Sequence, residues 1–452
     1  MTYQEALIYM EQVQKKGSVL GLEPIKVLLQ YLGNPQDQLS VIHVAGTNGK
    51  GSICTFLEGM YLAEGKRVGR YISPTIYCYL ERFQVNGRYM QEEQFAALLT
   101  NVVQVLERIE KEKQPLPTAF EIETAIAFLY FVEMDVDIVI LETGMGGRLD
   151  ATNVLTNPLC TVFASIGMDH MQFLGDSIEQ IAYEKAGIMK KGCSVVSYPN
   201  MPEVMKVLRD SFEKVQEGVN CTAITDDTLN CFSIDAMSES AQFLTVDKDD
   251  IIVLSETLEG SRFLYKNEEY AIALAGHYQI YNAVTAIEVK LMLDGALKKD
   301  GLHNVKWEGR FEKMSESPLL IRDGAHNVDG VLALRESLQK HFTNYHIIFI
   351  IGVLGDKEYD SMMKLLCPMA DTIFTITPPN ERGLSGEKLK ECVSQYCEDV
   401  HVCENVNLAM QSARNVYDAY AQMQEPAVIV AWGSLSYIGQ LQLESERIDG
   451  TC

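Results

Sequence analysis

The segment His43-Val44-Ala45-Gly46-Thr47-Asn48-Gly49-Lys50-Gly51-Ser52 brings together the residue types that hold a triphosphate. Glycines let the backbone turn its N–H groups toward an anion, and the N-terminus of a following helix adds partial positive charge. Lys50 adds a full charge, and Ser52 offers a hydroxyl to a magnesium ion. The spacing departs from the strict Walker pattern, because Gly46 stands too close to Gly49 and Gly51 separates Lys50 from Ser52. An ordinary glycine-rich strand-to-helix turn would share the glycines but would not need both Lys50 and Ser52. The expectation is a nucleoside triphosphate site.

Four further positions could act beside it. In a parallel sheet, ligands collect beyond the carboxyl ends of the strands. Strands are expected at 41–45, 67–72, 137–141, 161–166 and 194–197, so Ser73, Glu142 and the pair Asp169-His170 all arrive at the edge that carries the phosphate loop. A hydroxyl, a carboxylate and an imidazole suit one or two magnesium ions, although magnesium rarely takes imidazole. Taken singly, each has a structural reading; Glu142 could simply cap a turn. Glu142 leads into Thr143-Gly144-Met145-Gly146-Gly147-Arg148-Leu149-Asp150-Ala151-Thr152-Asn153, where three glycines and an arginine allow close approach to an anion. Lys185 lies in a short helix that Ser177 and Gln180 would open as a capping box and Gly187 would stop. Residue chemistry alone reads Lys185 as a cation complementing the helix dipole.

The elements that must position these residues alternate short β-branched runs with longer amphipathic stretches, the pattern of a parallel sheet covered by helices. A chain of 452 residues is too long for one ordinary core, so two domains are expected, 1–296 and 297–452. The first is a mainly parallel sheet domain containing the phosphate loop. Strand-like pieces at 242–246, 250–254 and 262–265, within a stretch from about 221 to 270, read as a small antiparallel insert attached to it. A helical pattern over 277–293 closes this domain, and the polar run 294–301 reads as a hinge. Strands near 319–322, 347–351, 372–376 and 427–431 then announce a smaller, Rossmann-like α/β domain.

Composition narrows the field. With 47% hydrophobic residues, 22% charged residues and no run long enough to span a bilayer, the chain reads as a cytoplasmic protein without a membrane partner. A net charge of -24 argues against a nucleic-acid partner, since each phosphate contact needs Lys or Arg. Eleven scattered cysteines read as reduced thiols; Cys392 and Cys397 lack the companion ligands of a zinc site.

Jointly, the phosphate loop, Phe120-Glu121, the run 142–153, Asp169-His170 with Phe173-Leu174-Gly175, Glu184-Lys185-Ala186-Gly187-Ile188 and Asp323-Gly324-Ala325-His326-Asn327 resemble the folylpolyglutamate synthase/dihydrofolate synthase branch of the Mur ligase family. The resemblance runs in order over nearly the whole chain. It implies that Thr47, Asn48, Gly49, Lys50, Gly51 and Ser52 hold ATP, with Asn282, Arg310 and Asp323 also contacting the nucleotide. Ser52, Ser73, Glu142 and His170 would bind Mg2+, with a monovalent cation such as K+ as a further candidate. Lys185 would be carbamoylated, which reverses the dipole reading and places negative charge near metal. Thr118, Ala119, Phe120, Glu121, Leu149, Asp150 and Ala151 would line the pterin-bearing substrate, and His326 would help place glutamate or phosphate. The chain departs from the family at Thr75, where a histidine is frequent, and near Pro24, where an arginine is.

The implied reaction is ATP-dependent ligation of L-glutamate to dihydropteroate or a reduced folate through an acyl phosphate, by a monomer, with Lys50, Lys185, His170 and His326 in the catalytic set. Water would destroy that intermediate, which gives closure of the second domain a purpose. The rival readings are another Mur-family amide ligase, a phosphotransferase that stops at a phosphorylated product, and a non-catalytic binding module.

Overall fold

Val-Ile-His-Val-Ala at Val41–Ala45 forms β1, buried along its whole length near the middle of an eight-stranded sheet. The other strands are β2 (Val68–Tyr71), β3 (Phe83–Val85), β4 (Arg88–Tyr89), β5 (Ile138–Glu142), β6 (Cys160–Phe163), β7 (Ser194–Ser197) and β8 (Phe243–Thr245). Their order is β4-β3-β2-β5-β1-β6-β7-β8. From β2 through β8 in that order the pairs are parallel. β3 and β4 are an antiparallel edge hairpin. In β1, β2, β5 and β6 every residue is buried, as expected when helices cover both faces.

This computed structural model describes residues 1–15, 17, 21–218 and 241–441. Within those limits the chain forms two compact units, one of residues 1–73, 80–248 and 281–301, the other of 74–79, 249–280 and 302 onward. The helix His277–Asp294 therefore begins in the second unit and continues in the first.

The antiparallel insert expected on the first sheet divides in two. β8 joins that sheet as a parallel edge strand beside β7. β9 (Ile251–Thr257), β10 (Gly260–Tyr265) and β11 (Glu268–Ile272) form a separate three-stranded antiparallel sheet in the second unit. Leu258, between β9 and β10, packs on that unit's core. Of the expected insert, 221–240 lies outside the described residues.

The second unit also holds a six-stranded sheet of β12 (Glu312–Glu316), β13 (Leu319–Asp323), β14 (His346–Ile351), β15 (Thr372–Thr375), β16 (Val400–Val402) and β17 (Ala427–Trp432). Its order is β12-β13-β17-β14-β15-β16, parallel except for β12. Ile347, Phe349 and Ile351 of β14 join one hydrophobic core, while Ile348 and Ile350 join another. That alternation is the period of two of a strand buried on both faces. The architecture is α/β, a large parallel-rich sheet unit and a smaller α/β unit.

Seven described cysteines carry free thiols. Among the described residues no helix is long and apolar enough to cross a membrane.

Candidate functional site

β1 ends at Ala45, and the loop after it runs directly into the helix Lys50–Ala63. Thr47 and Asn48 donate their amides to the carbonyl of Ser165, at 2.7 and 3.1 Å, which ties the loop to the segment following β6. The Thr47 hydroxyl bridges to the Gly167 backbone at 3.0 and 3.1 Å. With those two amides engaged, the N–H groups at the start of the helix remain to face an anion.

Gly49 takes a left-handed φ of 87°, and a Cβ there would lie 2.5 Å from Asn282 Oδ1. Asn282, distant in sequence, thus stands against the phosphate loop. Gly49→Ala combines backbone strain with this collision and is expected to weaken ATP binding by about tenfold or more. Unchanged affinity in a nucleotide titration would show that the loop does not hold ATP in this conformation.

Lys50 folds back along its own loop, donating to the carbonyls of Gly46 (3.2 Å) and Thr47 (3.3 Å), with Nζ 3.7 Å from Glu142 Oε1. Glu142 is the last residue of β5 and is paired in register with Val44 of β1. Ser52 Oγ is buried and has no hydrogen-bond partner within the protein. A buried hydroxyl left this way fits a cation ligand, because protein interiors otherwise satisfy such groups.

Ser73 is half-buried two residues past β2, the neighbour of β5, so the sheet order brings it to the same edge. His170 is exposed, with a left-handed φ of 51°, and its amide donates to Asp169 Oδ1 at 2.8 Å. A non-glycine residue held there marks a constrained position. Among the described residues no three His, Cys, Asp or Glu side chains gather around one point.

Lys185 replaces the helix-dipole reading with a different one. It does lie in the last turn of the helix Ile178–Ala186, but it is only 4% exposed and donates to the Gly46 carbonyl at 2.8 Å. Burial, reinforced by the charge of Lys50, brings its pKa down to about 7 against the opposing pull of Asp169 and Asp150. Gly187 closes the helix without a left-handed turn, at φ -60°. Glycine is needed there because a Cβ would meet Arg148 Cβ at 2.4 Å.

Thr118 and Glu121 open the helix Ala119–Glu133 as a capping box, the Glu121 carboxylate accepting from the Thr118 amide (2.6 Å) and hydroxyl (2.8 Å). Burial raises the Glu121 pKa. Ala119 is half-buried at the start of the same helix. The Phe120 ring stands against Gly144, where a Cβ would be 2.4 Å from Cζ. The segment 118–121 and the loop after β5 therefore meet at Phe120 and Gly144. In that loop Leu149 is 40% exposed, whereas Asp150 and Ala151 are buried.

In the second unit, Asp323 ends β13 and accepts from the amides of Phe311 and Ala325, both at 2.7 Å. Burial raises its pKa, opposed first by the charge of Arg310. Arg310 donates to the Gly309 carbonyl at 2.9 Å, and His326 Nδ1 lies 2.7 Å from the Gly324 carbonyl, which assigns the ring proton to that nitrogen. Tyr278, which sequence reasoning missed, hydrogen-bonds Asp323.

Known proteins resemble the chain over most of its length. Residues 44–290 match the Mur ligase middle domain, and residues 309–435 match the Mur ligase glutamate ligase domain. The chain is 37% identical over 387 residues to the dihydrofolate synthase/folylpolyglutamate synthase of Bacillus subtilis, an alignment covering 82% of this chain and 84% of that one. Mycobacterium tuberculosis folylpolyglutamate synthase complexed with ADP and AMPPCP superposes with a TM-score of 0.84 at 28% identity, covering 97% of each chain. E. coli FolC in complex with DHPP and ADP gives a TM-score of 0.79 at 25% identity, covering 98% of this chain and 97% of that one.

Proposed function

The chain belongs to the folylpolyglutamate synthase/dihydrofolate synthase branch of the Mur ligases, and from that premise we propose that it activates its acceptor carboxylate as an acyl phosphate at the edge of the first sheet. It is an ATP-dependent ligase that joins glutamate to a folate-class carboxylate. The observation that carries the mechanistic reading is the meeting of Lys50, Glu142 and Lys185 on the loop that follows β1.

A carboxylate oxygen of dihydropteroate, or of the terminal glutamate of a reduced folate, attacks the γ-phosphorus of ATP. The new O–P bond forms as the bridging bond to the β-phosphate breaks, and ADP takes the electron pair. The amine of L-glutamate then attacks the acyl carbon, phosphate leaves with the carboxylate's oxygen, and the amide sheds a proton. Carboxylate and triphosphate repel one another, so Lys50 and the helix N-terminal amides neutralise charge as it shifts. Ser52, Ser73, Glu142 and His170 are the residues that would hold magnesium, which supplies further charge neutralisation when bound.

Lys185 is suited to carbamoylation. Only a neutral amine adds CO2, forming an N–C bond and releasing a proton, and a pKa near 7 leaves a substantial neutral fraction at physiological pH. The carbamate N–H could keep its bond to the Gly46 carbonyl while the new carboxylate-like end carries negative charge. Thr118 to Glu121 and Leu149 to Ala151 line the pterin-bearing substrate in this reading, and the enzyme works as a cytoplasmic monomer.

An assay with ATP and glutamate, offering dihydropteroate and tetrahydrofolate separately and weighing the product, tests this reading. Glutamate-dependent ADP release and a product one glutamyl residue heavier are expected. ATP consumption without glutamate, ending in a stable phosphorylated product, would replace the ligase with a phosphotransferase.

A further inference from the structure

β1 carries one polar side chain in an otherwise aliphatic run: His43, fully buried. Valine or isoleucine would suit that place in the sheet better, since a buried imidazole must be desolvated. Burial, with help from the charge of Lys190, holds its pKa near 3, so the ring stays neutral at working pH. Its Nε2 lies 2.8 Å from Thr152 Oγ1, while Nδ1 is buried with no hydrogen-bond partner.

The direction of this bond can be worked out. The single Thr152 hydroxyl proton is given to Asp150 Oδ1 at 2.5 Å, and the Thr152 amide donates to the same oxygen at 3.0 Å. Thr152 Oγ1 must then accept from His43, which puts the ring proton on Nε2. The other Asp150 oxygen accepts from the Met145 amide at 2.8 Å. The orientation of the Asp150 carboxylate is therefore set from β1, through Thr152.

The next residue ties the same loop to a second element. Asn153 Nδ2 donates to the carbonyls of Arg148 (2.9 Å) and Gly187 (3.0 Å), and its Oδ1 accepts from Lys190 Nζ at 2.8 Å. Arg148 donates its amide to the Glu184 carbonyl at 2.8 Å, and its side chain to the Tyr183 carbonyl at 3.1 Å. These bonds fasten the loop to the end of the helix that bears Lys185.

We propose that His43, Thr152 and Asn153 are positioning residues, which clamp the loop after β5 between β1 and the Lys185 helix and so fix the substrate wall in register with the phosphate loop. The inference rests on the reading of Leu149, Asp150 and Ala151 as substrate contacts. None of the three positioning residues need touch substrate.

Thr152→Val preserves shape and removes the hydroxyl, whereas Thr152→Ser keeps it. In Thr152→Val the KM for the pteroate or folate substrate is expected to rise about tenfold or more, while the KM for ATP stays within about twofold; Thr152→Ser should restore both. Hydrogen exchange without substrates supplies a readout independent of activity. Faster exchange is expected in Thr152→Val over 144–153 and 183–187 but not over 46–52, and Asn153→Ala should loosen 183–187 in the same way. An unchanged folate KM in Thr152→Val, equal rises in both KM values without rescue by serine, or unaltered exchange in both variants would overturn the proposal. If the unmodified enzyme ligated no glutamate while the exchange pattern held, the assigned reaction would fall and the clamp would stand.

Discussion

Lys50→Ala is expected to abolish ATP-dependent phosphate release, lowering turnover by at least about 10²–10³-fold, the loss typical when one preorganised stabilising group is removed from developing charge. The ammonium sits 3.7 Å from Glu142 and within hydrogen-bond reach of two carbonyls of the phosphate loop. Without it, the loop loses its full positive charge and Glu142 loses a counter-charge where two anions must meet. The fold should survive, because the lost bonds are to backbone of the same loop. Circular dichroism and a thermal melt check this point, and steady-state phosphate release reads the effect. Near-normal turnover would remove Lys50 from the site.

Lys185→Ala is expected to fall to background as well, but with a different signature. If the working group is a carbamate, a short carboxylic acid such as acetate can occupy the vacated space and restore part of the activity. Lys185→Arg should not be rescued, since arginine stays charged and cannot add CO2. Protein equilibrated with carbon-13 CO2 should show a carbamate resonance that grows as pH rises through about 7, where the amine becomes neutral, and fades below it.

The stability sign follows from the same shift. Unfolded, the lysine keeps its proton up to its ordinary value of 10.5; folded, only to about 7. Between those values the unfolded chain binds more protons, so the unmodified enzyme gains stability as pH rises. The burial penalty is complete below pH 7. Lys185→Met removes it, so its melting temperature should gain most at acid pH. Activity of Lys185→Ala equal to that of the parent would exclude the lysine from the reaction.

What could be read in the sequence depended on how local its cause was. β1 and β7 match their expected bounds because an apolar run between polar breaks is a local signal. The edge hairpin of β3 and β4 escaped notice although its turn, Asn86-Gly87, with φ of 53° and 70°, is a strong hairpin signal. The split of the insert had no such sign, because nothing in the stretch 242–246 says whether it will pair parallel with β7 or antiparallel with its successor.

The candidate site divides in the same way. Glycines, Lys50 and Ser52 are contiguous, and the strand-end rule selected Ser73, Glu142 and His170. Burial of Lys185 was not legible, since a lysine in a last turn looks alike whether it faces solvent or the Gly46 carbonyl. Asn282 against Gly49, and His43 holding Thr152, are tertiary meetings between distant segments. Periodicity carries no trace of them.

The fate of one oxygen atom decides whether this edge activates a carboxylate. Acceptor labelled with oxygen-18 in the reacting carboxyl group is incubated with ATP and glutamate, and the released inorganic phosphate is weighed. One labelled oxygen in each phosphate is expected, because the carboxylate oxygen that attacks the γ-phosphorus leaves with it. Phosphate free of label, alongside normal amide formation, would contradict the acyl phosphate.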